Sequence, residues 1–321
     1  MKKIAFLGLI GLLVVSTAFA GGRRGGEFPT RSITIICPFA AGGGTDAIAR
    51  AIGAVAEGEF GVSIVVDNRT GAAGAVGHTA IMHAPTDGYS MGIITWELNS
   101  LPTTGAISFT YADMDPFLLL NMEAAALTVH ANSPFQTIAD FVAFARANPG
   151  SISVGNSGPG AVWHVAAGLL EIEAGIQLTH VPFDGAAPAV TSLAGGHIDA
   201  VTVSLAEVRA QVDAGNVRVL GVMDTRRSAM APNVPTFQEA GFNVVMATWR
   251  GLALPRGVDP ERRQRLVDGF IAASNTPAFQ QSMRNLNLEL TPLVGPAFVS
   301  FLTENKVGIA NTLRSLGLAA N

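Results

Sequence analysis

Twice in this chain a run of β-branched residues breaks into a glycine-rich turn and resumes as an amphipathic helix. Residues 32–37 form the first run, bounded by Pro29 and Pro38, and read as a buried strand. Residues 39–45 (FAAGGGT) supply the turn, and residues 46–57 have helical periodicity. The unit recurs as strand 151–154, turn 155–160 and helix 161–173. A strand that feeds a helix through a tight turn packs that helix back on its own sheet. Repetition of the unit therefore predicts parallel sheets covered by helices, an α/β fold.

The rest of the chain keeps this alternation. Residues 63–67 read as a second strand, 71–77 as another glycine-rich segment and 76–83 as a helix halted by residues 84–88; residues 89–95 read as a third strand. The pattern changes at 113–116. Residues 118–129 look like strand passing into strand, and helix 137–146 ends at Asn148-Pro149-Gly150. After the second unit come strand 178–182, helix 187–194, strand 200–204, helix 205–214 and strand 217–223. Residues 261–274, 277–286 and 296–316 read as helices. Two successive α/β units suggest two lobes with a ligand cleft between them. Residues 28–122 with 246–321 make lobe one and residues 123–245 lobe two, with crossovers near 121–128 and 240–250.

The N-terminus carries a targeting pattern. Lys2 and Lys3 precede an apolar run over residues 4–15, and Ala18-Phe19-Ala20 forms an A-x-A cleavage signal. That run is shorter than the ~20 residues needed to span a bilayer. Residues 1–20 therefore read as a signal peptide and 21–27 as a flexible leader, which predicts an exported, periplasmic protein. Without the two leader lysines, 18 of the 20 basic residues remain against 24 acids, a net charge of −6. That balance argues against nucleic-acid binding, which needs clustered positive charge. Cys37 is the only cysteine, so an intrachain disulfide and a Cys-rich metal site are both excluded.

The glycine turns carry the chemistry. Each lies between the C-terminal end of a strand and a helix N-terminus, the edge of a parallel sheet where ligands sit. Unpaired N–H groups and the positive end of the helix dipole face an anion there. Gly42, Gly43 and Gly44 let the backbone come close, and Thr45 or Asp46 can cap the helix. No Lys follows to make a Walker loop, and Gly42, Gly44 and Ala47 match a dinucleotide fingerprint only weakly. Two such turns can clamp a carboxylate. Charge-assisted hydrogen bonds contribute about 1.5–3 kcal/mol each, and micromolar affinity needs about 8 kcal/mol. Several such bonds plus two helix ends can therefore hold an anion without a buried Arg.

Residues 38–50 (PFAAGGGTDAIAR) resemble the opening motif of the solute-binding component of tripartite tricarboxylate transporters, the Bug family. Matches follow in order at 66–74, 84–89, 181–185 with Pro188-Ala189, 195–199 and 234–241, across nearly the whole mature chain. The resemblance implies a two-lobe, type II-like periplasmic-binding-protein fold of the flytrap kind. It closes on a di- or tricarboxylate, amino acid or aromatic acid and delivers it to integral-membrane transporter subunits. It also implies that the two turns hold one ligand carboxylate, partly through water. On this chain that places Phe39, Ala41, Gly42, Gly43 and Asp46 in the site from lobe one, with Thr45 beside them. Lobe two contributes Ser157, Gly158, Gly160, His164 and Asp184.

The chain departs from the family pattern at Cys37, Trp96-Glu97, Thr202 and Ser204. Trp96, Thr202 and Ser204 are expected to face the cleft, where they would set the substrate. Glu97 is placed to meet an ammonium group, and Arg69 and Arg250 are the cationic candidates for a far carboxylate, or else salt-bridge partners. Catalysis is not expected. A nucleophile elbow around Ser157 would need Gly at 159, where the chain has Pro159, and no H-E-x-x-H occurs. Neither cofactor nor metal is expected, and the protein is expected to be a monomer. The alternatives are a ligand-sensing subunit for a membrane kinase and, further off, a secreted hydrolase.

Overall fold

The computed structural model describes residues 28–320. The signal peptide and the leader lie outside the described residues. The first parallel unit is β1 (Ile33–Cys37), α1 (Gly44–Phe60), β2 (Ile64–Asn68), α2 (Ala75–Met82) and β3 (Ser90–Thr95). Next come α3 (Glu97–Thr104) and β4 (Met114–His130). The second unit runs α4 (Ile138–Ala147), β5 (Ser153–Asn156), α5 (Val162–Ala174), β6 (Thr179–Pro182), α6 (Ala186–Ala194), β7 (Ala200–Ser204), α7 (Leu205–Asp213) and β8 (Val217–Val222). The chain ends with β9 (Ala247–Pro255), α8 (Pro260–Ser274), α9 (Pro277–Asn285), β10 (Leu290–Val294) and α10 (Pro296–Ser315).

One strand joins the two halves. The 17-residue β4 pairs antiparallel with β9 from Met114 to Ala124, then with β7 and β8 from Ala125 onward. The first sheet thus runs β2-β1-β3-β9-β4, with β10 on the far side of β4. The second runs β6-β5-β7-β4, with β8 beyond. Both sheets are mixed: β1–β3 and β5–β7 are parallel cores, and β4 and β9 are antiparallel strands. Residues 118–129, expected as two strands, are one continuous strand because nearly every side chain is buried and no Gly or Pro interrupts them.

Two cores hold the sheets in place. Ile33, Ile48, Ile52, Phe117, Phe270 and Phe279 pack between the first sheet and α1, α8 and α9. Burying a side chain of this size stabilises by about 1.5–3 kcal/mol. A larger core runs from Ile94, Trp249 and Phe298 on the other face of that sheet into Leu127, Phe141 and Trp163 of the second half. Close packing has selected glycine at Gly251, where a Cβ would lie 2.5 Å from the Phe298 ring.

Candidate functional site

Three of the helices whose N-cap residue offers no side-chain cap begin at the same cavity. They are α1 after Gly43, α5 after Ala161 and α6 after Gly185. Gly43, Gly44 and Thr45 line the cavity from one sheet, and Ser157, Val162, Gly185 and Ala186 from the other. The halves meet here. Ala40 N–H donates to the Asp184 carbonyl at 3.1 Å, and Ser100 Oγ donates to the Gly160 carbonyl at 2.9 Å. Gly185 takes φ +129°, and a Cβ there would lie 3.4 Å from Phe39 Cβ. In this closed arrangement the cavity measures ≈ 20 Å³, room for about one water.

Each half supplies a carboxylate to a helix of the other. Glu97, at the start of α3, accepts from Val162 N–H at 3.0 Å and from Thr95 Oγ1 at 2.5 Å. Glu207, in the first turn of α7, accepts from Gly44 N–H at 3.2 Å. Its other oxygen accepts from Ser204 N–H at 3.1 Å. The protein's own acids therefore occupy N–H groups that face an incoming anion, where the helix dipole favours negative charge.

Arg250, on β9 and 2% exposed, ties the two sides together. Its Nε donates to Thr45 Oγ1 at 2.9 Å, Nη1 to Glu123 and Nη2 to Glu207 at 3.1 Å. Burial works against its charge, yet Glu123 and Glu207 hold the guanidinium above its ordinary pKa. Desolvation raises the Glu97 and Glu123 carboxyls above the usual carboxylate range. Three buried acids thus face one buried base. The expectation of a site without a buried cation is corrected: Arg250 lines the cavity. The bulk between Gly44 and this pair is fixed, since a Cβ at Gly44 would lie 2.7 Å from Arg250 Nη2.

Of the residues expected from sequence, Phe39, Gly43, Thr45 and Ser157 line the cavity. The Ser157 hydroxyl is buried without a hydrogen-bond partner. Asp46 shapes the first turn from behind. It accepts from Gly42 N–H and Asn68 Nδ2, each at 2.9 Å, and pairs with Arg50. Burial works to raise its carboxyl, but Arg50, Gly42 and Asn68 hold it below the ordinary range. Ala41 and Gly42 are exposed at the rim. Gly158 and Gly160 close the second turn against Ala73 and Thr104. His164 Nδ1 accepts from Gly160 N–H at 3.1 Å, and its pKa falls to about 4 through desolvation and then the nearby His180. It is therefore a neutral brace for the turn. Asp184 is exposed and contributes its carbonyl rather than its carboxylate.

Three expected cleft residues do not line the cavity. Thr202 Oγ1 donates to the Trp163 carbonyl at 2.7 Å inside the second half. Trp96 is 2% exposed and packs in the core next to α3. Ser204 is buried at the start of α7 without lining the cavity. Alternation along β7 and the turn into α3 decide these orientations, and a one-residue shift moves a side chain to the other face. Arg69 pairs with Asp67 at 2.8 Å on the surface. Cys37 is fully buried and its thiol is pushed up to about 11 by burial, consistent with a packed small hydrophobe. Sequence reasoning missed Thr95, Thr248 and Glu207. Ser204-x-x-Glu207 reads as a capping box, which marks a helix start and says nothing of a distant partner.

Known proteins share this fold. The model of the tripartite tricarboxylate transporter family receptor matches residues 48–311. A TctC solute-binding protein from Polaromonas, solved with no ligand, is 33% identical with a TM-score of 0.64, covering 90% of this chain and all of that one. The periplasmic binding protein BugD is 26% identical with a TM-score of 0.86, covering 92% of this chain and all of that one. Rpa4515 of R. palustris, solved with adipate, is 26% identical with a TM-score of 0.85, covering 91% of this chain and 99% of that one. With two α/β lobes meeting at facing helix N-termini and a family model spanning most of its length, the chain belongs to the tripartite tricarboxylate transporter receptor family, the Bug family of solute-binding proteins.

Proposed function

We propose that this chain is a periplasmic receptor that captures a small carboxylate by closing two lobes and passes it to integral-membrane transporter subunits, acting as a monomer. The observation that carries this reading is the convergence on one cavity of three helix N-termini, from both halves, whose own N-cap residues offer no side-chain cap. In this reading lobe one comprises residues 28–122 and 246–321 and lobe two residues 123–245. β4 changes partners between Ala124 and Ala125, next to the first boundary, and β9 begins at Ala247, next to the second. The closed cavity admits little more than water, so ligand entry requires the lobes to separate. Similarity is lower to the ligand-free relative than to the adipate-bound one, despite higher sequence identity. Rigid lobes set at different angles produce that pattern. The Ser157 hydroxyl, buried at the cavity without a hydrogen-bond partner, is available to a ligand carboxylate.

A thermal-shift screen of organic acids, amino acids, sugars and cations tests this reading. Specific binding adds RT ln(1 + [L]/Kd), about 2.7 kcal/mol at a hundredfold excess over Kd. Carboxylates are expected to raise the melting temperature. A shift by sugars or metal cations, with every carboxylate silent, would overturn the ligand class.

A further inference from the structure

The charges around the cavity do not balance for a simple dicarboxylate. Glu97, Glu123 and Glu207 are each buried, and Arg250 is the one basic side chain lining the cavity. Arg250 is already committed to Glu123 and Glu207. Glu97 makes no salt bridge among the described residues and feels Arg250 only at a distance; its hydrogen-bond partners are a hydroxyl and the N–H of Val162 in the facing half. A ligand entering between the halves separates Glu97 from Val162. The ligand's own carboxylate then takes the freed helix N–H groups, and Glu97 is left buried with only Thr95. An acid stripped of a partner in such a place carries a large desolvation cost unless a positive group meets it. A dianionic ligand adds to the excess of negative charge, whereas a zwitterion adds none and brings a positive group to Glu97.

We propose that the ligand is a zwitterion, a small carboxylate that also bears an ammonium group, and that Glu97 is the specificity-determining residue that receives that group. The inference rests on the carboxylate-receptor reading above and narrows it. The carboxylate lies against the N-termini of α1, α5 and α6, and the ammonium donates to Glu97. Glu97 stands at the start of α3 in one half, and Val162 opens α5 in the other, so the acid can recognise ligand only where closure brings the halves together. The raised Glu97 carboxyl supports the same assignment, because a ligand ammonium reverses the desolvation that raises it.

The test is isothermal titration calorimetry on the mature chain with matched pairs: aspartate against succinate, glutamate against glutarate, and β-alanine against propionate. The amine-bearing member of the binding pair is expected to bind at least tenfold more tightly, about 1.4 kcal/mol. Glu97→Gln is expected to abolish the preference. The wild-type comparison stands without the variant, should Glu97→Gln fold poorly. Carboxylates that bind equally with and without the amine, or a preference that survives Glu97→Gln, overturn this inference and leave the receptor reading intact. A panel in which no carboxylate of either kind binds overturns both.

Discussion

Replacing Arg250 with Met tests whether the buried charge cluster is a single unit. The guanidinium is 2% exposed and makes three side-chain hydrogen bonds, to Thr45, Glu123 and Glu207. Met fills much of the same volume, so the loss is electrostatic rather than steric. It leaves Glu123 and Glu207 buried without a cation, and breaking a buried pair in this way costs about 3–5 kcal/mol. At about 2 °C per kcal/mol for a chain of this size, Tm should fall by about 6–10 °C. Urea denaturation at pH 7 measures the loss directly. Adding Glu123→Gln and Glu207→Gln to the Met variant removes the stranded charges and should recover about half or more of it. An Arg250→Met variant that loses under 1 kcal/mol would refute the argument. So would a triple variant no more stable than the single one.

Other perturbations separate the roles of neighbouring residues. Ser157→Ala removes a buried hydroxyl that has no partner, so the unliganded protein should gain up to about 1 kcal/mol while affinity for its carboxylate drops; paired denaturation and calorimetry measure the two signs. Gly44→Ala should weaken the cluster, because its Cβ would meet Arg250 at 2.7 Å. Gly43→Val has room for its Cβ, whose nearest neighbour would be the Ala40 carbonyl at 3.6 Å, so it should fold and lose ligand affinity through its γ-methyls; comparison of Tm and Kd for the two variants distinguishes them. His78 is fully buried, and desolvation lowers its pKa from 6.5 to about 4. The unfolded chain takes up that proton first as pH falls, so the stability supplied by neutral His78 is complete above pH ~6.5 and is lost toward pH 4. The loss amounts to about 3 kcal/mol over the window, and His78→Asn should flatten the profile of Tm against pH.

Much of the fold was legible because two periodicities alternate in the sequence. Strands β1, β3 and β7, and helices α1, α5 and α8, fall where β-branched runs and 3.6-residue spacing put them. The glycine turns were legible for the same reason, since a turn between a strand and a helix has few alternatives. Helix α3 was not, because Pro102 and the polar Glu97, Asn99 and Ser100 break its pattern, yet burial against α10 and the facing half holds it. The antiparallel β9 and β10 were missed, because Arg250 and Gly251 interrupt the apolar run of β9 and Pro292 sits within the five residues of β10. In the site, Phe39, Gly43, Thr45 and Ser157 were readable from their turns. The Glu97–Val162 and Glu207–Gly44 contacts join residues 65 and 163 positions apart, and no local pattern encodes which carboxylate reaches which helix. Trp96 and Thr202 illustrate the opposite error: sequence gives their elements but leaves the facing direction to packing.

A crystal structure of the mature chain with the tightest-binding carboxylate tests the central claim most directly. The account predicts the ligand between the two halves, its carboxylate within hydrogen-bonding distance of N–H groups at Gly43–Thr45 and at Val162 or Ala186. The halves should stand farther apart than here, with Glu97 released from Val162. A ligand seated on the outer surface would contradict the account, as would one held in the cleft by side chains alone with the three helix N-termini unused.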